Sequence, residues 1–178
     1  MLDRWFKKSP EKQAAKGLYG GIVEAARAPA LYGDAAAPDT VEGRLELIML
    51  HTALVMDVLR SDDTDQTAVE VAQALFDVMF DDFDAAMREM GVGDSGVGKK
   101  IRFMAEGFYG RSQSYLSALA SQDPSVLADV LARNIYADEG RAEDAHSLAD
   151  YVSASHLALV AQGRRALSRG DCPRFVAP

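Results

Sequence analysis

Cysteine is almost absent from this chain: there is one, Cys172, in 178 residues. One thiol cannot close an internal disulfide or build a cysteine-rich zinc site, which removes secreted disulfide frameworks and zinc modules from consideration. Basic residues are in deficit. Lys and Arg number 19 against 27 Asp and Glu, for a net charge of −8; such a balance opposes general binding to phosphate backbones, and no specific nucleic-acid binding is expected. Long apolar runs are missing as well. The most apolar stretch, Leu45–Met56, is interrupted by Glu46 and His51 and is shorter than the ~20 residues of a membrane span. Met1–Lys8 contains no apolar run of signal-peptide type, so the chain is expected to be soluble. Alternating strand patterns and internal repeats are also lacking.

What is present is ordinary globular material, 48% hydrophobic and 26% charged, in a length that suits one domain with one core. Proline, glycine and capping residues divide it into an all-α single-domain bundle of about six helices. The first starts at Ser9-Pro10 and stops before Pro29. The second starts at Asp39, the expected cap, with Glu42 three residues on. It is apolar over most of its circumference and therefore belongs at the centre. The third runs from about Thr67 to Met90, stopped by Gly91. A loop over Gly91–Gly98 precedes the fourth, which carries Ile101, Met104, Phe108, Tyr115 and Leu119 inward. The fifth begins at Asp123-Pro124 and buries Leu127, Val130, Leu131 and Ile135. The sixth runs from about Glu143 to Arg169, with Gly170 as its C-cap. Leu50, Leu54, Phe76, Phe80 and Phe108 are expected in the core. The helical domain is placed at 9–170, after a flexible basic segment at 1–8 and before a tail at 171–178. In the basic segment Trp5 and Phe6 lie among Arg4, Lys7 and Lys8, a pattern suited to peripheral contact with a membrane surface.

Several motifs imitate chemistry. Gly91–Lys100 contains both GxGxxG and GxxxxGK, but Lys100 stands where a phosphate-binding loop needs Ser or Thr for magnesium, and the residues before it read as helix, not strand. Gly93-Asp94-Ser95-Gly96 has the look of a protease serine without the base or oxyanion scaffold that chemistry needs. Glu143-Asp144-Ala145-His146 offers one ExxH where a di-iron bundle needs two. Asp77, Asp81, Asp82 and Asp84 lack the ligand spacing of an EF-hand loop. His51, inside an apolar helix, reads as a hydrogen-bonded core histidine. Neither a cofactor nor a metal is expected, and no catalytic constellation is found.

From Tyr19 to Tyr136 the residues carry a resemblance. Ala26-Arg27 with Tyr32 is followed by Asp39-Thr40-Val41-Glu42-Gly43-Arg44 and His51. Then come Met79-Phe80-Asp81-Asp82-Phe83-Asp84, Met87–Asp94, Lys99-Lys100, Phe108-Tyr109-Gly110-Arg111 and Asn134-Ile135-Tyr136. In this order the chain resembles the ubiquinol–cytochrome c chaperone family. The resemblance implies a non-enzymatic assembly factor for ubiquinol–cytochrome c reductase, with newly made cytochrome b as client. It also implies a small partner protein and the ribosome as further contacts. The location implied is cytoplasmic, peripheral to the inner membrane, or the matrix side in a mitochondrion. Compared with some relatives, the chain is expected to lack a long N-terminal extension with a membrane segment.

The client surface is expected on the Gly91–Gly98 loop and the helix after it, with Asp82, Asp84, Arg88, Lys99, Lys100, Tyr109 and Arg111 as participants. Ordering four glycines is costly, and tyrosine and arginine are favoured at binding hot spots. The simpler alternative pairs Lys99 and Lys100 with Asp82 and Asp84 across a helix hairpin. The methionines suit adaptable client surfaces, although most should be core. The competing class is an all-α small-molecule-binding or regulatory domain. A closed interhelical cavity would favour it, and an open groove rimmed by charge would favour a protein client.

Overall fold

In the computed structural model the described residues are 9–33, 36–91, 93–136 and 145–178, with the side chains of Asp94 and Ser95 also outside the description. Seven α-helices and no strand occur among them: α1 (Pro10–Ala26), α2 (Val41–Leu59), α3 (Gln66–Glu89), α4 (Asp94–Ser121), α5 (Pro124–Leu131), α6 (His146–Gln162) and α7 (Arg164–Ser168). The expected all-α bundle is what is found. The basic segment before Ser9, the linker at 137–142 and Glu143 of the ExxH motif lie outside the described residues.

α2 is the axle. From Leu47 to Leu59 nearly every side chain is buried, and the helix touches α1, α3, α4, α6 and α7. A helix apolar all round can be stable only when neighbours cover every face. Leu50 and Leu54 are fully buried, with Phe80 and Phe108 close to it. Phe76 is only partly buried, and its neighbour Leu75 takes the fully buried position. Phe76 instead joins a ring cluster with Phe80, Phe108 and Tyr109 at the α3–α4 seam.

Local chemistry sets the helix ends. Ser9 Oγ accepts from the Lys12 amide at 3.1 Å, and Pro10 opens α1. At α2 the cap is Thr40, whose Oγ1 accepts from the Gly43 amide at 3.0 Å. Asp39, the expected cap, instead forms an ion pair with Arg44 at 2.7 Å. Arg44 therefore finds its carboxylate in the turn just before its own helix, and its guanidinium also lies over the Tyr32 ring. The single-residue shift follows from reach: a cap must contact the second or third amide of the helix, which Thr40 does. Asp65 caps α3 at Ala68, and Asp123 precedes Pro124 as expected, accepting from Ser125.

Two stretches depart from expectation. α4 begins at Asp94, inside the predicted glycine loop, so Gly96 and Gly98 are helical. Val97 is fully buried, and packing of that turn overrides the poor helix propensity of its glycines. The predicted sixth helix is two helices, α6 and α7, broken at Gly163 with φ +85°. The break lets Arg164 reach Asp65 at 3.0 Å and Asp62 at 3.1 Å in the α2–α3 turn. Gly170 does end α7. Its amide bonds Leu167 and the Asp171 amide bonds Ala166, the paired pattern of a left-handed helix stop.

The residues beyond Gly170 have no helix but are held in place. The Gln162 side chain binds the Cys172 carbonyl and the Arg174 amide, both at 2.9 Å. The Val176 amide donates to Ser155, and Phe175 packs on the core. A methyl group on Gly21 of α1 would come within 2.8 Å of Cys172 and Pro173. Gly21, one of the three glycines in α1, thus admits the C-terminal segment.

Candidate functional site

The N-terminal turns of α2, the C-terminal half of α3 and the first half of α4 do not close on one another. Between them runs a groove made of two contiguous hollows, of about 500 and 340 Å³, open to solvent. Val41 and Leu45 from α2, with Met87 and Met90 from α3, line both. At the α4 end the walls are Phe103, Met104, Lys100, Arg111, Glu42 and Glu46. At the other end stand Arg27, Tyr32, Arg44 and Asp82. The floor is apolar and both ends carry charge.

Its apolar residues are unusually exposed for their type. Phe103 is 70% exposed, Met90 54% and Val41 47%. By contrast Met49, Met56, Met79 and Met87 are buried. Most methionines are core as expected, while Met90 and the partly buried Met104 edge the groove. An exposed cluster of flexible thioethers and one aromatic ring can repack around more than one apolar partner.

Glu46 is the chemically distinctive group. One oxygen, Oε1, forms an ion pair with Arg111 Nη2 at 3.2 Å. The other, Oε2, is buried and has no partner among the described residues. Burial pushes the Glu46 carboxyl up to about 7, with Arg111 pulling back only part of that rise. Tyr115, beneath it in the core, is held well above the usual phenol range, first by burial and then by the charge of Glu46.

The seven expected surface residues divide. Asp82, Lys100 and Arg111 line the groove. Asp82 also accepts from the Tyr19 hydroxyl at 2.8 Å, which with burial raises that phenol. Asp84 and Arg88 pair with each other along the exposed side of α3, and the arginine holds the Asp84 carboxyl below its usual range. Tyr109 stacks on Phe76 and lines a separate hollow beside Met56 and Asp57. Lys99 and Lys100 are exposed, and neither forms an ion pair among the described residues. The hairpin pairing with Asp82 and Asp84 is therefore not adopted, because those carboxylates have Tyr19 and Arg88. Sequence reasoning did not single out Phe103 or the half-paired carboxylate of Glu46. Glu46 had a visible signal, a lone acid inside the most apolar stretch of the chain.

Asp77, Asp81, Asp82 and Asp84 lie on α3, and Gly96, Gly98 and Lys99 of the glycine motif lie on α4. The GxxxxGK lysine sits within α4, after a preceding helix instead of a strand. No group of three or more His, Cys, Asp or Glu suited to a metal occurs among the described residues. His51 is fully buried between the Leu47 carbonyl and the Tyr151 hydroxyl, each at 2.7 Å. The geometry makes Nδ1 the donor to the carbonyl and Nε2 the acceptor from tyrosine. Burial drives its pKa down to about 4, so the ring is neutral and structural. No helix among the described residues is long and apolar enough to cross a membrane.

The sequence pattern of the ubiquinol-cytochrome C chaperone family matches residues 34–175. The chain belongs to the ubiquinol–cytochrome c chaperone family. Among solved structures it is similar to the Cbp3 homologue from Brucella abortus, at 32% identity and a TM-score of 0.83, over 99% of this chain and 97% of that one. No curated protein matches. Family membership carries a chaperone role in assembly of the cytochrome bc1 complex and implies a role without catalysis.

Proposed function

We propose that this chaperone binds newly made cytochrome b and holds an apolar segment of it in the groove between α2, α3 and α4 until the segment reaches the complex. The observation that supports this most is the groove itself: open, apolar along its floor and charged at both ends. Apolar client helices need a surface that shields them from water, and the charged loops beside such helices need a polar rim. Asp82, Lys100 and Arg111 meet the client directly in this reading. Asp84, Arg88, Lys99 and Tyr109 form the flanking surfaces of α3 and α4. An enclosed cofactor cavity would have favoured a small-molecule binder, and the groove has the opposite shape. The client is taken at the inner-membrane surface, where a small partner protein and the ribosome are further contacts implied by the family. The basic segment before Ser9 supplies peripheral attachment.

The test is deletion of the gene followed by complementation. Wild-type protein restores cytochrome b and assembled ubiquinol–cytochrome c reductase. A folded Met90→Asp, Phe103→Asp variant does not. Full restoration by that variant removes the groove from the client-binding surface.

A further inference from the structure

A second apolar face shares no lining residue with the groove. It holds two hollows, of about 250 and 510 Å³, that have Asp57 and Leu116 as a common wall. The smaller lies between α2 and α4, with Ala53, Met56 and Phe108 on its walls. The larger lies where α4, α5 and α6 meet, with Leu119, Pro124 and Leu127. Each hollow has one large side chain standing at its edge. Tyr109, at the smaller, is half-exposed. Leu157, at the larger, is 68% exposed, and Val160 one turn further along α6 is also in solvent. An apolar face of this kind, uncovered among the described residues, marks contact with another protein.

Four charged residues line the two hollows. Asp57 and His156 bond to each other at 2.8 Å, so that pair is completed within the chain. The other two stand at different hollows. Arg60, exposed at the smaller, forms no ion pair among the described residues. Asp123, exposed at the larger, accepts from the Ser125 amide and hydroxyl but meets no cation among the described residues.

We propose that this face pairs with the same face of a second copy of the chain, about a two-fold axis that crosses it at Asp57 and Leu116. Such an axis sets the smaller hollow of each copy against the larger hollow of the other. Leu157 of one copy then enters the smaller hollow of its partner, beside Met56 and Phe108. The exposed edge of Tyr109 enters the larger one, where Gln122 and Ser153 offer hydrogen-bond partners for its hydroxyl. The same rotation brings Arg60 of each copy opposite Asp123 of the other. Charge complementarity therefore selects a second copy. The smaller hollow calls for an anion and the larger for a cation, and the face itself carries one of each at the positions the axis exchanges. In a chain of net charge −8, copies repel unless the charges on the meeting face match in this way. Pairing does not use the client groove, whose lining residues are all different.

Sedimentation equilibrium of the full chain between about 1 and 100 μM tests the pairing. Wild type approaches twice the 19.2 kDa chain mass as concentration rises. Leu157→Asp, at a position already in solvent, stays at one chain mass throughout. Arg60→Gln weakens association about threefold to tenfold, and so does Asp123→Asn, which keeps a capping oxygen for α5. Because the two residues meet each other, the double variant is no weaker than either single one. Phe103→Asp, in the client groove, pairs as wild type does, which keeps this face separate from the client reading. Circular dichroism verifies the fold of each variant. A wild type that stays at one chain mass at about 100 μM overturns the pairing. So does a dimeric Leu157→Asp, a pair of charge effects that add, or a monomeric Phe103→Asp. A single-chain wild type whose Leu157→Asp variant no longer captures cytochrome b overturns it too, and gives the face to the client.

Discussion

Two polar side chains on the same helix, little more than one turn apart, have opposite treatment. His51 is enclosed on all sides. Both ring nitrogens are bonded, and Phe175 packs edge-on against the ring at 4.8 Å. Glu46 has one oxygen paired and one left over at a groove. The region around His51 is closed by α6 and the C-terminal segment. The region around Glu46 has walls but no cover. His51 has its hydrogen bonds completed inside the fold, whereas Glu46 Oε2 shares the lack of a partner with the sealed Thr52 Oγ1 on the same helix and with the Tyr115 hydroxyl.

The contrast predicts a gradient of stability effects. The largest falls in the closed region: Leu54→Ala, at a fully buried site on α2, costs roughly 2–5 kcal/mol in urea unfolding. A cost under 1 kcal/mol would mean that α2 is not the packed axle.

The next effect is pH-dependent, and the two polar groups act with opposite sign. The folded pKa of His51 lies near 4, below the unfolded value of about 6.5. The unfolded chain binds the proton in that interval, so this contribution to stability is lost as pH falls from about 6.5 to about 4. The folded pKa of Glu46 is raised from 4.5 to about 7. Its contribution is present below about 4.5 and is lost as pH rises through about 7. Glu46→Gln removes only the second trend. Its stability relative to wild type therefore climbs by about 3 kcal/mol between pH 4.5 and pH 7. A difference that stays flat over this range would show that Glu46 is solvated like any surface acid.

A smaller effect tests the start of α2. Thr40→Ala costs about 1 kcal/mol through the lost cap, and Asp39→Ala lowers the melting temperature by less. The reverse order would return the cap to Asp39.

The smallest belongs to the open region. Phe103→Ala changes stability by no more than about 0.5 kcal/mol, since the ring is mostly in solvent. Under the proposed function the same substitution lowers cytochrome b capture. A large loss of stability would make Phe103 a structural residue and erase the contrast between the regions.

Helix existence was legible because it depends on local quantities. The apolar periodicity, Ser9-Pro10, Asp123-Pro124 and Gly170 each act within a few residues. Where a single local signal had to compete, it failed: Asp39 and Thr40 both carry a capping oxygen, and only Thr40 is placed to reach the Gly43 amide. The glycines at 96 and 98 read as loop because propensity says so, and the burial of Val97 reversed that. Of the surface residues, Asp82, Lys100 and Arg111 line the groove, while Tyr109 turned to a different hollow. Adjacent positions on a helix point about 100° apart, and only the packing angle of α4 says which of them meets α2 and α3.

By itself the sequence determined that this protein is helical, that α2 is central and that no disulfide or cysteine-rich metal site supports it. Composition and spacing at the scale of a helical turn are enough for that. Tertiary structure alone decided that α2, α3 and α4 leave an open groove between them. It also decided that Glu46 lies in the gap with one oxygen unpaired, while His51 on the same helix is sealed. The reason is that satisfaction of a buried polar group depends on partners far away in the chain. Tyr151 reaches His51 across 100 positions, and no pattern along α2 announces which of its polar groups will find such a partner.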